Sequence, residues 1–225
     1  AWRLLRCQPL CRGGFDPARQ GAWAQTVTRD QTTILGLAKG QVLVGSANYE
    51  DGLAVGGAVR RYDGNRNMIE DSVAGRASST GPLALADVDG DGDLDLFVGG
   101  RVIPGRYPEA ATSILLKNEG GKFVTLQRFE KAGLVSGAVF SDLDGDGKPD
   151  LILACEWGPI LIHRNAGGTF QPWNWPVTPP GGSPTLHAPR STLHELTGWW
   201  NGVTTGDLDG DGRLDIVASN WGLNS

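Results

Sequence analysis

Three cysteines among 225 residues, Cys7, Cys11 and Cys155, are too few and too odd in number for a disulfide framework. One bridge from Cys155 to Cys7 or Cys11 is compatible with the count, but buried free thiols fit it better. No run of 18 apolar residues occurs, so no membrane-spanning helix is expected. The opening AWRLLRCQPL lacks the apolar core of a signal peptide, and no compartment follows from it. A Gly-x-Ser-x-Gly elbow, a phosphate loop and a His-Glu-x-x-His pair are also missing. The histidines are scattered. His163 lies in a strand-like run, and His194 lies in STLHEL, a short helix that Ser191 could cap. With Glu156, His187 and Glu195, His194 could form an acid–base group, but no spacing brings these residues together.

Glycine, by contrast, is abundant at 34 residues, alongside 13 prolines. That mixture indicates many short strands joined by tight turns. The length suits one large domain or two small ones. The formal charge of −5 conceals an asymmetry. ADVDGDGDLD (86–95), SDLDGDGKPD (141–150) and GDLDGDGRLD (206–215) hold 13 of the 25 acidic residues and two of the 20 basic ones, leaving the remainder positive by six. Such local pools of carboxylate call for a cation. They are the wrong sign for a nucleic-acid surface.

The three loops begin at Asp87, Asp142 and Asp207, in steps of 55 and 65 residues. The insertion PVTPPGGSPTLHAPR (176–190) accounts for the longer step. Strand-like runs flank each loop: PLALA, GAVFS and GVTTG before, LDLFVGG, DLILAC and LDIVAS after. Two further runs follow the first loop (SILLKN, KFVTLQRF) and the second (PILIHRN, TFQPWNW). Four short antiparallel strands per repeat is the content of a propeller blade. The expected fold is an all-β propeller of about four blades in a single domain, 1–225. Blade 1 covers about 32–72, with a hairpin at Lys39-Gly40, blade 2 about 80–129 and blade 3 about 136–175. Blade 4 covers about 200–221, completed by N-terminal strands in 2–28. The alternative is part of a larger ring completed by a second copy.

Within Asp87-Val-Asp89-Gly-Asp91-Gly-Asp93-Leu-Asp95, the side chains at positions 1, 3, 5 and 9 and the carbonyl at position 7 can converge on one point. Glycines at positions 4 and 6 permit the positive φ this requires. An all-oxygen site of this kind suits Ca²⁺; Mg²⁺ resists such dehydration, and zinc would want His or Cys. An EF-hand needs Glu at position 12, where Val98, Leu153 and Ala218 stand instead. Acidic solvent turns are the plain alternative, which three identical spacings argue against.

These phrases, LALADVDGDGDLDLFVGG, FSDLDGDGKPDLILA and GDLDGDGRLDIVASNWG, resemble FG-GAP/VCBS repeats, the calcium-binding blades of integrin α-type propellers. The resemblance covers about 80–221 and, more loosely, 32–72. It implies three structural Ca²⁺ ions, each in a loop joining a blade's first and second strands. The implied ligands are Asp87, Asp89, Asp91, Asp95 and the Asp93 carbonyl; Asp142, Asp144, Asp146, Asp150 and the Lys148 carbonyl; and Asp207, Asp209, Asp211, Asp215 and the Arg213 carbonyl. Blade 1 lacks the loop. An extracellular or periplasmic setting is also implied.

The opposite face of the meander collects Asn48, Tyr49 and Glu50; Arg101, Arg106 and Tyr107; Glu156 and Trp157; and Asn220 and Trp221. Tyr49, Arg101, Tyr107, Glu156, Trp157 and Trp221 are the candidate ligand-binding residues. Six of the eight tryptophans, Trp157, Trp173, Trp175, Trp199, Trp200 and Trp221, fall in the last third. Either packing between blades or sugar stacking would explain them. The expected role is a binding or adhesion module for a protein or glycan. A calcium-dependent propeller hydrolase and a scaffold fragment without its own ligand are the alternatives.

Overall fold

A computed structural model describes residues 2–3, 26–27, 29–63, 68–174 and 197–222, with backbone alone at 2, 3, 26, 27 and 68. Every pairing in it is antiparallel, and the described residues contain no α-helix. The short strands β1 (Trp2–Arg3) and β2 (Thr26–Val27) pair with each other. A first meander follows: β3 (Gln31–Gly36), β4 (Gln41–Ser46), β5 (Gly57–Asp63) and β6 (Met68–Ala74). Lys39 and Gly40, at φ 60 and 72, turn β3 into β4.

The second meander is β7 (Ser79–Ala86), β8 (Asp95–Val102), β9 (Ala111–Glu119) and the first half of β10 (Lys122–Ser141). The sequence suggests two separate strands across 122–141, whereas the structure has one of 20 residues. Its first half pairs with β9 and its second with β11 (Asp150–Gly158), and the β9 register shifts between Phe129 and Gly133. Lys131 and Gly133, at φ 51 and 131, bend the chain there without ending its pairing. The third meander continues from β11 to β12 (Ile160–Asn165) and β13 (Phe170–Pro172). A last pair, β14 (Gly198–Gly206) and β15 (Asp215–Asn220), joins β11 through Glu156–Trp199 and Gly158–Gly198.

Side chains alternate across each strand, and here the two faces feed different cores. Leu96 and Val98 point to a cluster with Leu43, Val59 and Leu83, between the first and second meanders. Phe97, between them in sequence, joins Leu115, Phe129, Leu151, Leu153 and Phe170, between the second and third. Ile152 and Ala154 turn the other way, to Ile160 and Ile162, with Trp173, Trp200, Val203 and Ile216 packed alongside. The second and third sheets are thus covered on both faces by their neighbours. The apolar runs LDLFV and LILAC are the local record of that double burial.

The first strands of successive meanders also touch. Thr33 Oγ1 donates to the Gly81 carbonyl (3.1 Å), and Ser136 Oγ donates to the Trp200 carbonyl (2.6 Å). A Cβ on Gly137 would stand 2.8 Å from the Gly202 Cα, so β10 and β14 approach through glycine. Inner strands in contact and cores between sheets are the arrangement of propeller blades. Among the described residues β15 pairs with β14 alone, and most of the N-terminal segment expected to complete that sheet lies outside them.

Candidate functional site

All three acidic loops connect the first and second strands of a meander: β7 to β8, β10 to β11, and β14 to β15. They share one hydrogen-bond pattern. Asp87 Oδ1 accepts from the Gly90 and Asp91 N–H groups (2.8 and 3.1 Å), and its Oδ2 from Gly92 N–H (2.9 Å). Asp142 repeats this with Gly145, Asp146 and Gly147, and Asp207 with Gly210, Asp211 and Gly212. The position-1 aspartate therefore templates the turn, and the next two glycines adopt the required φ: 80 and 91, 75 and 83, 77 and 83.

The position-9 aspartate closes each loop from the following strand. Asp95 accepts from Val88 and Asn118 N–H, Asp150 from Leu143 and Asn165 N–H, and Asp215 from Leu208 N–H. Asp95 and Asp150 are almost wholly buried. Burial raises the pKa of both above the ordinary carboxylate value, against the opposing pull of those N–H groups. Asp91 and Asp146 go the other way, lowered first by the backbone N–H groups of Asp93 and Lys148.

Carboxylate oxygens of Asp87, Asp89 and Asp95 lie within 4.8 Å of one another, as do those of Asp142, Asp144 and Asp146, and of Asp207, Asp209 and Asp215. Opposite ligands of a Ca²⁺ ion bound at 2.3–2.6 Å stand about 5 Å apart, so this spacing and the all-oxygen chemistry fit that cation. The carbonyl-bearing residues Asp93, Lys148 and Arg213 sit at position 7, where each backbone N–H donates to the position-5 carboxylate.

Two basic side chains absent from the sequence-derived site come from the third strands. Lys117 Nζ contacts Asp89 and lies 3.1 Å from Asp91, and both contacts raise the lysine pKa. Arg164 lies 2.5 Å from Asp144 and 3.5 Å from Asp146. Each precedes an asparagine that caps the same turn: Asn118 accepts from Gly121 N–H, and Asn165 from Gly168 N–H. The signal was present as KNEGG (117–121) and RNAGG (164–168), one step removed from the acidic motif. No ion pair reaches the third loop among the described residues.

The profile of the FG-GAP-like repeat matches residues 142–218, from the first aspartate of the second loop to β15. Residues 142–218 carry an FG-GAP-like repeat. No curated protein gives a significant match to the chain.

On the face opposite the loops, five of the six residues expected to meet a ligand come together, Glu156 and Trp157 within the matched segment. Glu156, on β11, is 6% exposed; it pairs with Arg101 and accepts from Tyr107 OH at 2.8 Å. The carboxylate beside it raises the Tyr107 pKa. Trp157 Nε1 donates to the Tyr107 oxygen. The Trp157 ring lies 4.8 Å from Trp199, and Trp199 stacks on Trp221 at 6.0 Å. Sequence reasoning missed Trp199 as a member of this surface; its register opposite Glu156 puts it there.

Tyr49 is exposed on the turn after β4, and among the described residues no hydrogen bond or ring contact joins it to this group. Asn48, expected on the same surface, is instead buried. It donates to the Leu53 and Arg76 carbonyls and accepts from Ser79, so it anchors the turn. The other tryptophans divide: Trp173 and Trp200 pack between the last two sheets, and Trp175 lies outside the described residues. His163 is buried, edge-on to Phe129 at 5.0 Å. His187, His194 and Glu195, the expected partners of Glu156 in an acid–base group, lie outside the described residues. Cys155 is a buried free thiol. No helix among the described residues is long and apolar enough to cross a membrane.

Proposed function

We propose that this chain is a propeller-type binding module whose three acidic loops are held by structural Ca²⁺, leaving the opposite face for a protein or glycan ligand. The threefold recurrence of one loop geometry carries this reading: the same N–H groups fold each loop around the same aspartates. Carboxylates within 4.8 Å repel at neutral pH, and a divalent cation turns that repulsion into ligation. In the first two loops Lys117 and Arg164 offset part of the charge. An extracellular or periplasmic setting belongs to the same proposal, since repeats of this type are expected there.

The cation supplies a positive charge and a fixed coordination shell. The protein's own contribution is the prefolded turn, in which Asp87, Asp142 and Asp207 are already oriented by three N–H groups each. Binding to the folded loop alone is linked to stability: a site at a hundredfold excess over its Kd adds about 2.7 kcal/mol. Thermal melting in excess EGTA, then in millimolar CaCl₂, tests this. The melting temperature should drop in EGTA and recover in CaCl₂ but not in NaCl; an unchanged melt would count against the reading.

A further inference from the structure

Trp157 and Trp221 are 55% and 73% exposed, although their rings could be buried, as those of Trp173 and Trp200 partly are. Three indoles stand in a row, with interplanar angles of 38° and 28° between neighbours. Trp157 leans against Trp199 at a tilt and Trp221 stacks on it, and both outer side chains stay largely exposed. Trp157 also holds a backbone φ of 54, in the left-handed region that non-glycine residues rarely adopt. The β11–β14 register is interrupted at this point, between Glu156 and Gly158. A position serving only as a turn would be relieved by glycine. Here a large aromatic ring is kept in a strained conformation and turned to solvent, which is how strain collects at ligand sites.

The polar groups next to the row are balanced in charge. Arg101 is paired with Glu156, and Arg106 with Glu109 at 2.8 Å. Among the described residues of this group, no unpaired charge would attract an ionic ligand. The exposed side chains of the connected group are aromatic, Tyr107, Trp157 and Trp221, with no exposed aliphatic among them. Three exposed rings fall far short of the roughly 20–30 residues a side that a standard protein interface covers. Flat, exposed indole rings flanked by phenol, carboxylate and guanidinium suit a ring with one apolar C–H face and hydroxyls at its edge.

We propose that the Trp157–Trp199–Trp221 row, edged by Tyr107, Glu156 and Arg101, is a stacking platform for an uncharged glycan. This rests on the binding-module reading and specifies its ligand class. Trp221 and Trp157 supply the exposed rings that stack on sugar rings. Trp199 holds the two in line, and Glu156, fixed by Arg101, orients the Tyr107 hydroxyl towards the row.

The test is an array of neutral oligosaccharides probed with the full chain in CaCl₂, followed by titration of the strongest hit against intrinsic tryptophan fluorescence. At least one neutral glycan should bind. Trp221→Ala should weaken it at least tenfold with an unchanged melting temperature, and Trp221→Phe should retain most of the affinity. Trp157→Gly should abolish binding without lowering the melting temperature, an outcome a purely structural Trp157 would not give. Retention of no neutral glycan, equal affinity in Trp221→Ala, or capture confined to charged glycans or protein would overturn the proposal. If that happens while EGTA still lowers the melting temperature, the calcium reading stands and only the ligand is wrong. Glycan binding with a melt indifferent to EGTA would mean the reverse.

Discussion

Asp150 is 1% exposed and its two oxygens accept from Leu143 and Asn165 N–H, so one side chain closes the second loop and ties it to β12. Asp150→Ala leaves both donors without a partner, a change expected to cost about 2–4 kcal/mol. Urea unfolding in EGTA reads this directly, free of any metal contribution. Cys155 offers a second single-residue test. Burial pushes its thiol up to about 12, whereas an exposed thiol ionises near about 8.5. The unfolded chain therefore releases a proton that the folded chain keeps. The Cys155 contribution to stability is intact below about 8.5 and falls as pH rises towards about 12. Iodoacetamide labelling at pH 8, located by peptide mass mapping, should leave Cys155 unmodified in the native chain and modify it in urea.

At the scale of the element, the loop depends on glycines whose φ no other residue shares cheaply. Gly147 has φ 83, and a Cβ added there would find nothing within 4 Å, so Gly147→Ala meets backbone strain and no collision. The expected loss is about 1–2 kcal/mol. Gly36 has equally open surroundings without a positive φ, and Gly36→Ala should cost clearly less by the same urea measurement. This part of the fold was legible because glycine and aspartate alternate where turn and acceptor are both needed. The continuity of β10 was not. Nothing local distinguishes a bend at Lys131–Gly133 from a break, since the outcome depends on whether β9 and β11 can share one strand. Lys117 and Arg164 escaped notice for a related reason: their contact with the loops is set by the register of β9 on β8 and of β12 on β11, not by proximity in sequence.

Across the whole molecule, the meanders are coupled by cores and by a few cross-sheet bonds. Asn165, 1% exposed on β12, donates to the Val88 carbonyl in the first loop (2.8 Å), besides bonding the Pro149 carbonyl and Gly168 N–H within its own sheet. Asn118 occupies the equivalent position on β9, and among the described residues its side chain bonds only Leu94 and Gly121 of its own meander. Asn165→Ala should therefore lower the melting temperature more than Asn118→Ala, by a margin worth about 1–2 kcal/mol for the lost inter-sheet bond. Scanning calorimetry checks the order. The opposite face was legible in outline, since meander connectivity alone assigns Arg101, Tyr107, Glu156 and Trp157 to one side. Its details required coordinates: Asn48 turns inward to bond carbonyls, and Trp199 joins the row because β14 pairs with β11 at Glu156.

On the proposed reading, each acidic loop holds one divalent cation. Equilibrium dialysis of the chelator-treated chain against radiolabelled Ca²⁺ counts these sites. Saturation at three ions per chain is expected, one for each carboxylate group, with a loss of one in Asp207→Ala. A chain that stays folded through dialysis and takes up no calcium at millimolar concentration would contradict it.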